Sequence, residues 1–255
     1  MPVRVPSPFA RPKPILGMLH LTGADRAERL GIAREEVATL IAGGVDAVVV
    51  EDYFGDADDV EAVLAWLATE PPPVAVGVNV LRDHPRSFAL AERYGASFIQ
   101  IDSVAGHLPP DEDAAFAAEL AGLRERSSVC LLGGVRFKYQ PVHSGRSLDE
   151  DLRLGMARCD AVVVTGEATG QETDLAKVRA FRDVVGDEFP LLIGAGMTAA
   201  NCREQLLLAD GAIVGSFFKD TYRDRGRIDA GHVAELMAVV EALRNDLARP
   251  ANFNG

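Results

Sequence analysis

Three cysteines in 255 residues, Cys130, Cys159 and Cys202, are too few and too irregularly spaced for a disulfide framework or a zinc site. Cys130 and Cys159 sit in or beside apolar runs and are expected in the core. A reducing, cytoplasmic setting is the simplest one for them. No apolar stretch approaches the roughly 20 residues of a membrane span, so no integral membrane association is expected. Residues 1–14 are rich in proline and arginine and lack an apolar segment, unlike a secretory signal. Basic charge is scarce as well: 26 Lys and Arg against 38 Asp and Glu leave a net charge of −12. A duplex-binding surface needs a basic stripe, so nucleic acid is not an expected partner. A small anion stays admissible, because backbone N–H groups bind phosphate without net positive charge. No Gly-x-Gly-x-x-Gly follows the first apolar run, which removes the fingerprint of an open dinucleotide-binding sheet. His20, His84, His107 and His143 show no ligand spacing, so no metal and no cofactor are expected.

What is present is a regular succession of short β-branched runs with helical patterns between them. The runs cover 15–19, 47–50, 74–78, 98–101, 129–132, 161–164, 191–193 and 212–214. Most are apolar without alternation, as parallel strands buried on both faces are. Val60, Val63, Leu64 and Leu67 lie at i, i+3, i+4, i+7, one face of a helix for which Asp56 is a candidate N-cap. Val233, Leu236, Met237, Val240 and Leu243 repeat the pattern. Eight such units predict a single-domain (β/α)8 TIM barrel over 1–255, with 1–13 as an N-terminal extension. The segment Val45-Asp46-Ala47-Val48-Val49-Val50 is echoed by Cys159-Asp160-Ala161-Val162-Val163-Val164, and more loosely by Asp210-Gly211-Ala212-Ile213-Val214.

Barrel chemistry sits where the strands end at their C-termini. Glycines directly after strands seven and eight, Gly194, Gly196 and Gly215, with Ser216, are candidate phosphate ligands, because such loops bring N–H groups close to an anion; the alternative is that they only make tight turns. Thr165 and Gly166, after strand six, open a small-residue loop that runs to Gly170. It is a second candidate anion contact, a mobile lid or an ordinary turn. Glu51 and Asp102 end strands two and four as candidate general acid or base. The alternative for each is a salt bridge with Arg136 or Lys138. Lys138 is a candidate to neutralise substrate charge or form a Schiff base. Asn79 is a candidate to orient a hydroxyl or to cap a turn, and His20 is a candidate catalyst or a packed histidine.

The same residues resemble the BtpA/SgcQ family. The resemblance is carried by Ile15-Leu16-Gly17-Met18-Leu19-His20-Leu21, by residues 44–52 ending in Val48-Val49-Val50-Glu51-Asp52, and by Gly77-Val78-Asn79-Val80-Leu81-Arg82-Asp83. It continues in Val164-Thr165-Gly166 with Thr169-Gly170, and in residues 210–219 around Gly215-Ser216-Phe217-Phe218-Lys219. It spans nearly the whole chain and implies a phosphate-binding barrel. The founding member of that family is linked to photosystem I accumulation in cyanobacteria, and other members resemble sugar or nucleoside enzymes. The stretch from Asp102 to His107 departs from the family's pattern after strand four, so the resemblance does not extend to Asp102. The expected ligand is a small phosphorylated metabolite, and a homo-oligomer is left open. Three functions are in competition. One is an enzyme on a phosphorylated sugar or nucleotide, by ribosyl glycosidic-bond chemistry or as an isomerase or aldolase-type lyase. The second is a non-catalytic assembly or stability factor, and the third is a regulatory protein that only binds a phosphometabolite.

Overall fold

A computed structural model describes residues 8–249. The apolar runs form eight parallel strands that close in chain order into a barrel. They are β1 (Ile15–Leu19), β2 (Ala47–Glu51), β3 (Ala75–Asn79), β4 (Phe98–Ala105), β5 (Cys130–Val135), β6 (Ala161–Val164), β7 (Leu191–Ile193) and β8 (Gly211–Val214). Each is followed by a helix on the outside: α1 (Arg26–Ala42), α2 (Ala57–Thr69), α3 (His84–Tyr94), α4 (Pro110–Glu125), α5 (Leu148–Arg158), α6 (Leu175–Val185), α7 (Cys202–Leu208) and α8 (Ala230–Ala248). The fold is a (β/α)8 TIM barrel, as the pattern of runs predicts.

Local sequence accounts for the element ends. Asp56 caps α2 in a capping box with Asp59, each side chain accepting from the other's backbone N–H. Val60, Val63, Leu64 and Leu67 are all buried against the barrel, as are the five apolar residues expected of α8.

The repeated aspartates have one structural meaning. Asp46, Asp160 and Asp210 precede β2, β6 and β8. Each accepts the backbone N–H of the strand one unit earlier, from Ile15, Leu131 and Leu191 at 2.8, 2.8 and 2.9 Å. An arginine from an outer helix binds each one: Arg244, Arg124 and Arg182. The repeat staples adjacent units at the closed end of the barrel.

Inside the barrel the core is built by every second residue. Leu16 and Met18, Ala47 and Val49, Leu132, Ala161 and Val163, Leu192 and Ile213 fill it around Phe98. Phe98 fits because Gly77 stands beside it: a Cβ at Gly77 would come within 2.1 Å of the ring. Gly77→Val is therefore expected to lower stability by about 1–3 kcal/mol through overpacking, read from the denaturant midpoint. Of the residues expected as an N-terminal extension, 1–7 lie outside the described residues. Residues 8–13 pack beneath the barrel, where Phe9 meets Phe98 edge-on at 5.2 Å.

Candidate functional site

Continuing the inward alternation past each strand end builds the site. Leu16 and Met18 lead to His20, Ala47 and Val49 to Glu51, Ala75 and Gly77 to Asn79, Phe98 and Gln100 to Asp102. On the far side Leu192 leads to Gly194 and Ile213 to Gly215. His20, Glu51, Asn79, Asp102, Gly194 and Gly215 thus line one cavity of about 590 Å³ at the C-terminal mouth, a size common for small-molecule sites.

The floor of the cavity is a clamped pair of carboxyl groups. The Asn79 amide donates from Nδ2 to Glu51 Oε1 at 2.8 Å and to Asp102 Oδ1 at 3.1 Å. Gln100 Nε2 donates to the same Asp102 oxygen at 3.2 Å. Glu51 is buried, and that burial, reinforced by the Asp102 charge, pushes its pKa up to about 8. It therefore carries a proton at neutral pH. His20 Nδ1 lies 2.9 Å from the Asp224 carbonyl, which can only accept, so Nδ1 bears the hydrogen and Nε2 is the free acceptor. Nε2 lies 3.9 Å from Glu51 Oε2. Burial, helped by Lys219, lowers the His20 pKa to about 4, so a neutral imidazole faces a protonated carboxyl.

Lys138 reaches the cavity through an unusual loop. Arg136 adopts a left-handed backbone (φ 47°), as does Tyr139 (φ 61°). Arg136 turns outward to Asp151 (2.8 Å) and to the Arg146 carbonyl (2.7 Å). That removes Arg136 as a partner for Glu51 or Asp102. Phe137 then drops into the barrel, and the Lys138 ammonium lies 4.4 Å over its ring. The charge of Lys138 works against the rise in the Glu51 pKa.

The opposite wall is formed by Gly194, Ala195, Gly196, Gly215 and Ser216, joined by Thr169 and Gly170 from the loop after β6. An adjoining recess of about 300 Å³ shares Gly170, Gly196, Gly215 and Ser216 with the main cavity. The Ser216 hydroxyl is buried there without a hydrogen-bond partner.

Thr165 and Gly166 are not brought to this wall, which corrects their expected place. The Thr165 hydroxyl accepts the Lys138 backbone N–H at 2.9 Å, fixing the loop after β5. Gly166 faces the carbonyls of Gln171 and Glu172, where a Cβ would come within 2.8–3.0 Å. The far end of the same loop supplies the cavity contacts instead, because the chain doubles back between them.

The sequence reading missed Gln100, Tyr53 and Asp224. Gln100 was findable, being two residues before Asp102 on one strand. Tyr53 stacks near His20 (4.9 Å) and its hydroxyl lies 3.4 Å from Thr169 Oγ1. Asp224 acts through its backbone, so no residue type marks that contact in advance.

Among the described residues, no three His, Cys, Asp or Glu side chains stand together as a metal site, and no helix is long and apolar enough to cross a membrane. All three thiols are pushed up by burial, Cys130 and Cys159 to about 12 and Cys202 to about 11, and so stay protonated.

Fold and site together define a (β/α)8 barrel with a polar, partly enclosed cavity at the C-terminal mouth of its strands. The chain belongs to the BtpA family, whose model matches residues 11–242. An uncharacterized protein of Thermococcus kodakarensis is 31% identical over 91% of this chain and 97% of its own length. The photosystem I biogenesis protein BtpA of Synechocystis is 28% identical over 94% of this chain and 91% of its own. Among solved structures, phosphoribosyl anthranilate isomerase from Thermus thermophilus superposes with a TM-score of 0.60 at 14% identity, covering 90% of this chain and 99% of its own. Thiamine phosphate pyrophosphorylase from Pyrococcus furiosus gives 0.60 at 18% identity, covering 91% and 96%.

Proposed function

We propose that this protein is an enzyme acting on a phosphorylated sugar or nucleotide, and that it breaks a bond at a ribosyl anomeric carbon. The observation that carries the reading is one cavity in which a pair of carboxyl groups clamped by Asn79 shares the space with a glycine wall and an unpartnered serine hydroxyl. The phosphate sits against Gly196, Gly215, Ser216 and Gly170, where glycines let backbone N–H groups approach and Ser216 Oγ gains its missing partner. The names of the two solved barrels above, both with phosphorylated compounds in them, support this end of the reading.

At the other end Glu51 is the general acid. As the bond at the anomeric carbon breaks, the leaving group takes the Glu51 proton, and the Asp102 carboxylate faces the positive charge that develops on the sugar. Water then adds to that carbon and returns a proton to Glu51. Asn79 is a positioning residue that holds both carboxyl groups on one amide. Lys138 neutralises ligand charge, and His20 offers Nε2 as a fixed hydrogen-bond acceptor for the ligand. No metal or cofactor enters this scheme.

A second reading, a non-catalytic role in assembly, draws support from the Synechocystis relative, a photosystem I biogenesis protein. The two separate on the phosphate recess and the carboxyl pair, which an assembly surface does not use. Ser216→Asp sets a carboxylate where the phosphate is placed, and is expected to weaken ribose 5-phosphate binding about 100-fold, or roughly 2.8 kcal/mol. Isothermal titration of both proteins reads it. Equal affinity in the variant would remove the phosphate from this recess.

A further inference from the structure

The main cavity extends beyond the barrel interior. It also runs outward over the ends of β3 and β4, where Ser103, His107, Leu108, Phe116 and His84 line it. Asp102 and Ser103 both reach the cavity although they are consecutive. The register of β4 against β5 shifts between Ile101 and Ala105, and such an irregularity re-aims side chains. Gly134 accommodates it, since a Cβ there would lie 1.9 Å from the Asp102 carbonyl oxygen.

This arm carries polar atoms that the fold does not satisfy. Ser103 is 5% exposed and its Oγ has no hydrogen-bond partner. Gln100, at the inner end, is 3% exposed, and its Oε1 has none while its Nε2 holds Asp102. His107 Nδ1 is a third such atom. Buried polar groups ordinarily find partners within the protein or in ordered water, and three along one strand end and its loop call for a ligand that supplies them.

The surrounding walls say what kind of ligand. Phe116 stands edge-on to His84 at 5.1 Å and to His107 at 5.3 Å, and Leu81, Ile101 and Leu108 complete an apolar lining. His84 is paired with Glu119. Burial lowers the His107 pKa, so it stays neutral. Apolar and aromatic walls with a few fixed hydrogen-bonding atoms suit a flat heteroaromatic group.

We infer that the arm over β3 and β4 is a subsite for a nucleobase, a neutral planar ring whose polar edge meets Ser103 Oγ, Gln100 Oε1 and His107 Nδ1. The inference deepens the proposed function and rests on it for the sugar and phosphate, making the substrate a nucleotide and the departing group its base.

Titration with AMP, GMP, CMP, UMP, their nucleosides and ribose 5-phosphate tests it, in the native protein and in Ser103→Ala, His107→Phe and Ser216→Asp. At least one nucleotide is expected to bind tenfold or more tightly than ribose 5-phosphate. Ser103→Ala and His107→Phe are each expected to cut that preference at least threefold while leaving ribose 5-phosphate affinity within twofold. Ser103→Ala removes an atom without a partner, so its unliganded melting temperature is expected to equal or exceed the native value. A lower one would mean that the hydroxyl serves the fold, and would overturn the assignment. Equal affinity for ribose 5-phosphate and every nucleotide overturns the base subsite and leaves the phosphate recess standing. A nucleoside that binds as well as its nucleotide, and loses affinity in Ser103→Ala, supports the subsite and removes the phosphate. Binding of none of these compounds overturns both.

Discussion

Glu51→Gln is expected to keep ligand affinity and to lose turnover by about 10²- to 10⁴-fold, the range that a positioned general acid supplies. The substitution keeps the architecture. A glutamine carbonyl still accepts from Asn79 Nδ2, as Glu51 Oε1 does at 2.8 Å, and its amide lies on the side of His20 Nε2, a free acceptor. What it cannot do is give up a proton to a leaving group. In the native protein turnover should fall as pH rises through about 8, where Glu51 loses its proton. The variant's residual activity should lack that limb. Full activity in Glu51→Gln would take the carboxyl out of the chemistry, and no turnover in the native protein with any phosphorylated sugar or nucleotide would favour the assembly reading.

The same residue makes an expectation about stability that does not depend on any substrate. Burial raises the folded-state pKa of Glu51 from the usual 4.5 to about 8, so between those values the folded protein binds more protons than the unfolded chain. Stability then falls as pH rises through the window, and the loss is complete above about 8. His20 acts in the opposite direction between about 4 and 6.5, since its folded form has given up the proton that the unfolded form keeps. Of the two, Glu51 alone titrates between 6.5 and 8. Denaturant unfolding of native protein and Glu51→Gln at pH 6.5 and 8.5 should show the variant gaining on the native protein at the higher pH. A constant difference would mean that Glu51 is ionised in the fold.

Much of this site is legible in the sequence because the strand period is two. Once the strands are placed, Glu51, Asn79, Asp102, Gly194 and Gly215 follow as the next inward positions, and His20 with them. The period stops being a guide where the backbone leaves it. Lys138 reaches the mouth only because Arg136 takes a left-handed turn. Ser103 joins Asp102 there because β4 shifts register. Thr165 has the right parity but spends its hydroxyl on the Lys138 N–H, and the loop reaches the cavity at Thr169 and Gly170. Closure of loops over a barrel is a long-range event, and nothing in a short window of sequence encodes it.

The aspartate repeat is the converse case, visible in sequence but interpretable only in the fold, and it leads to the largest expected loss of stability. Arg244 is nearly sealed, its side chain 5% exposed and that of Asp46 4%. It binds Asp46 and donates to the Pro12 and Lys13 carbonyls at 2.8 and 3.0 Å, while Asp46 accepts the Ile15 N–H. One guanidinium thus joins the last helix, the entry to β1 and the entry to β2, closing the barrel between its last unit and its first. Arg244→Met fills similar space but leaves Asp46 buried with its charge uncompensated and two carbonyls without donors. The expected cost is about 3–5 kcal/mol, a fall in melting temperature on the order of 10 °C for a chain of this size. The equivalent Arg124 and Asp160 are 30% and 42% exposed, so water takes over much of what Arg124 supplies and Arg124→Met should cost within about 1 kcal/mol. Arg182 and Asp210, at 14% and 16%, should fall between. Thermal and denaturant unfolding of the three variants therefore tests an ordering set by burial of one repeated motif. Equal losses at all three sites would mean that burial does not set what the arginines contribute, and no loss at any of them would mean that the hydrogen bonds to the strand N–H groups, present in every copy, carry the staple alone.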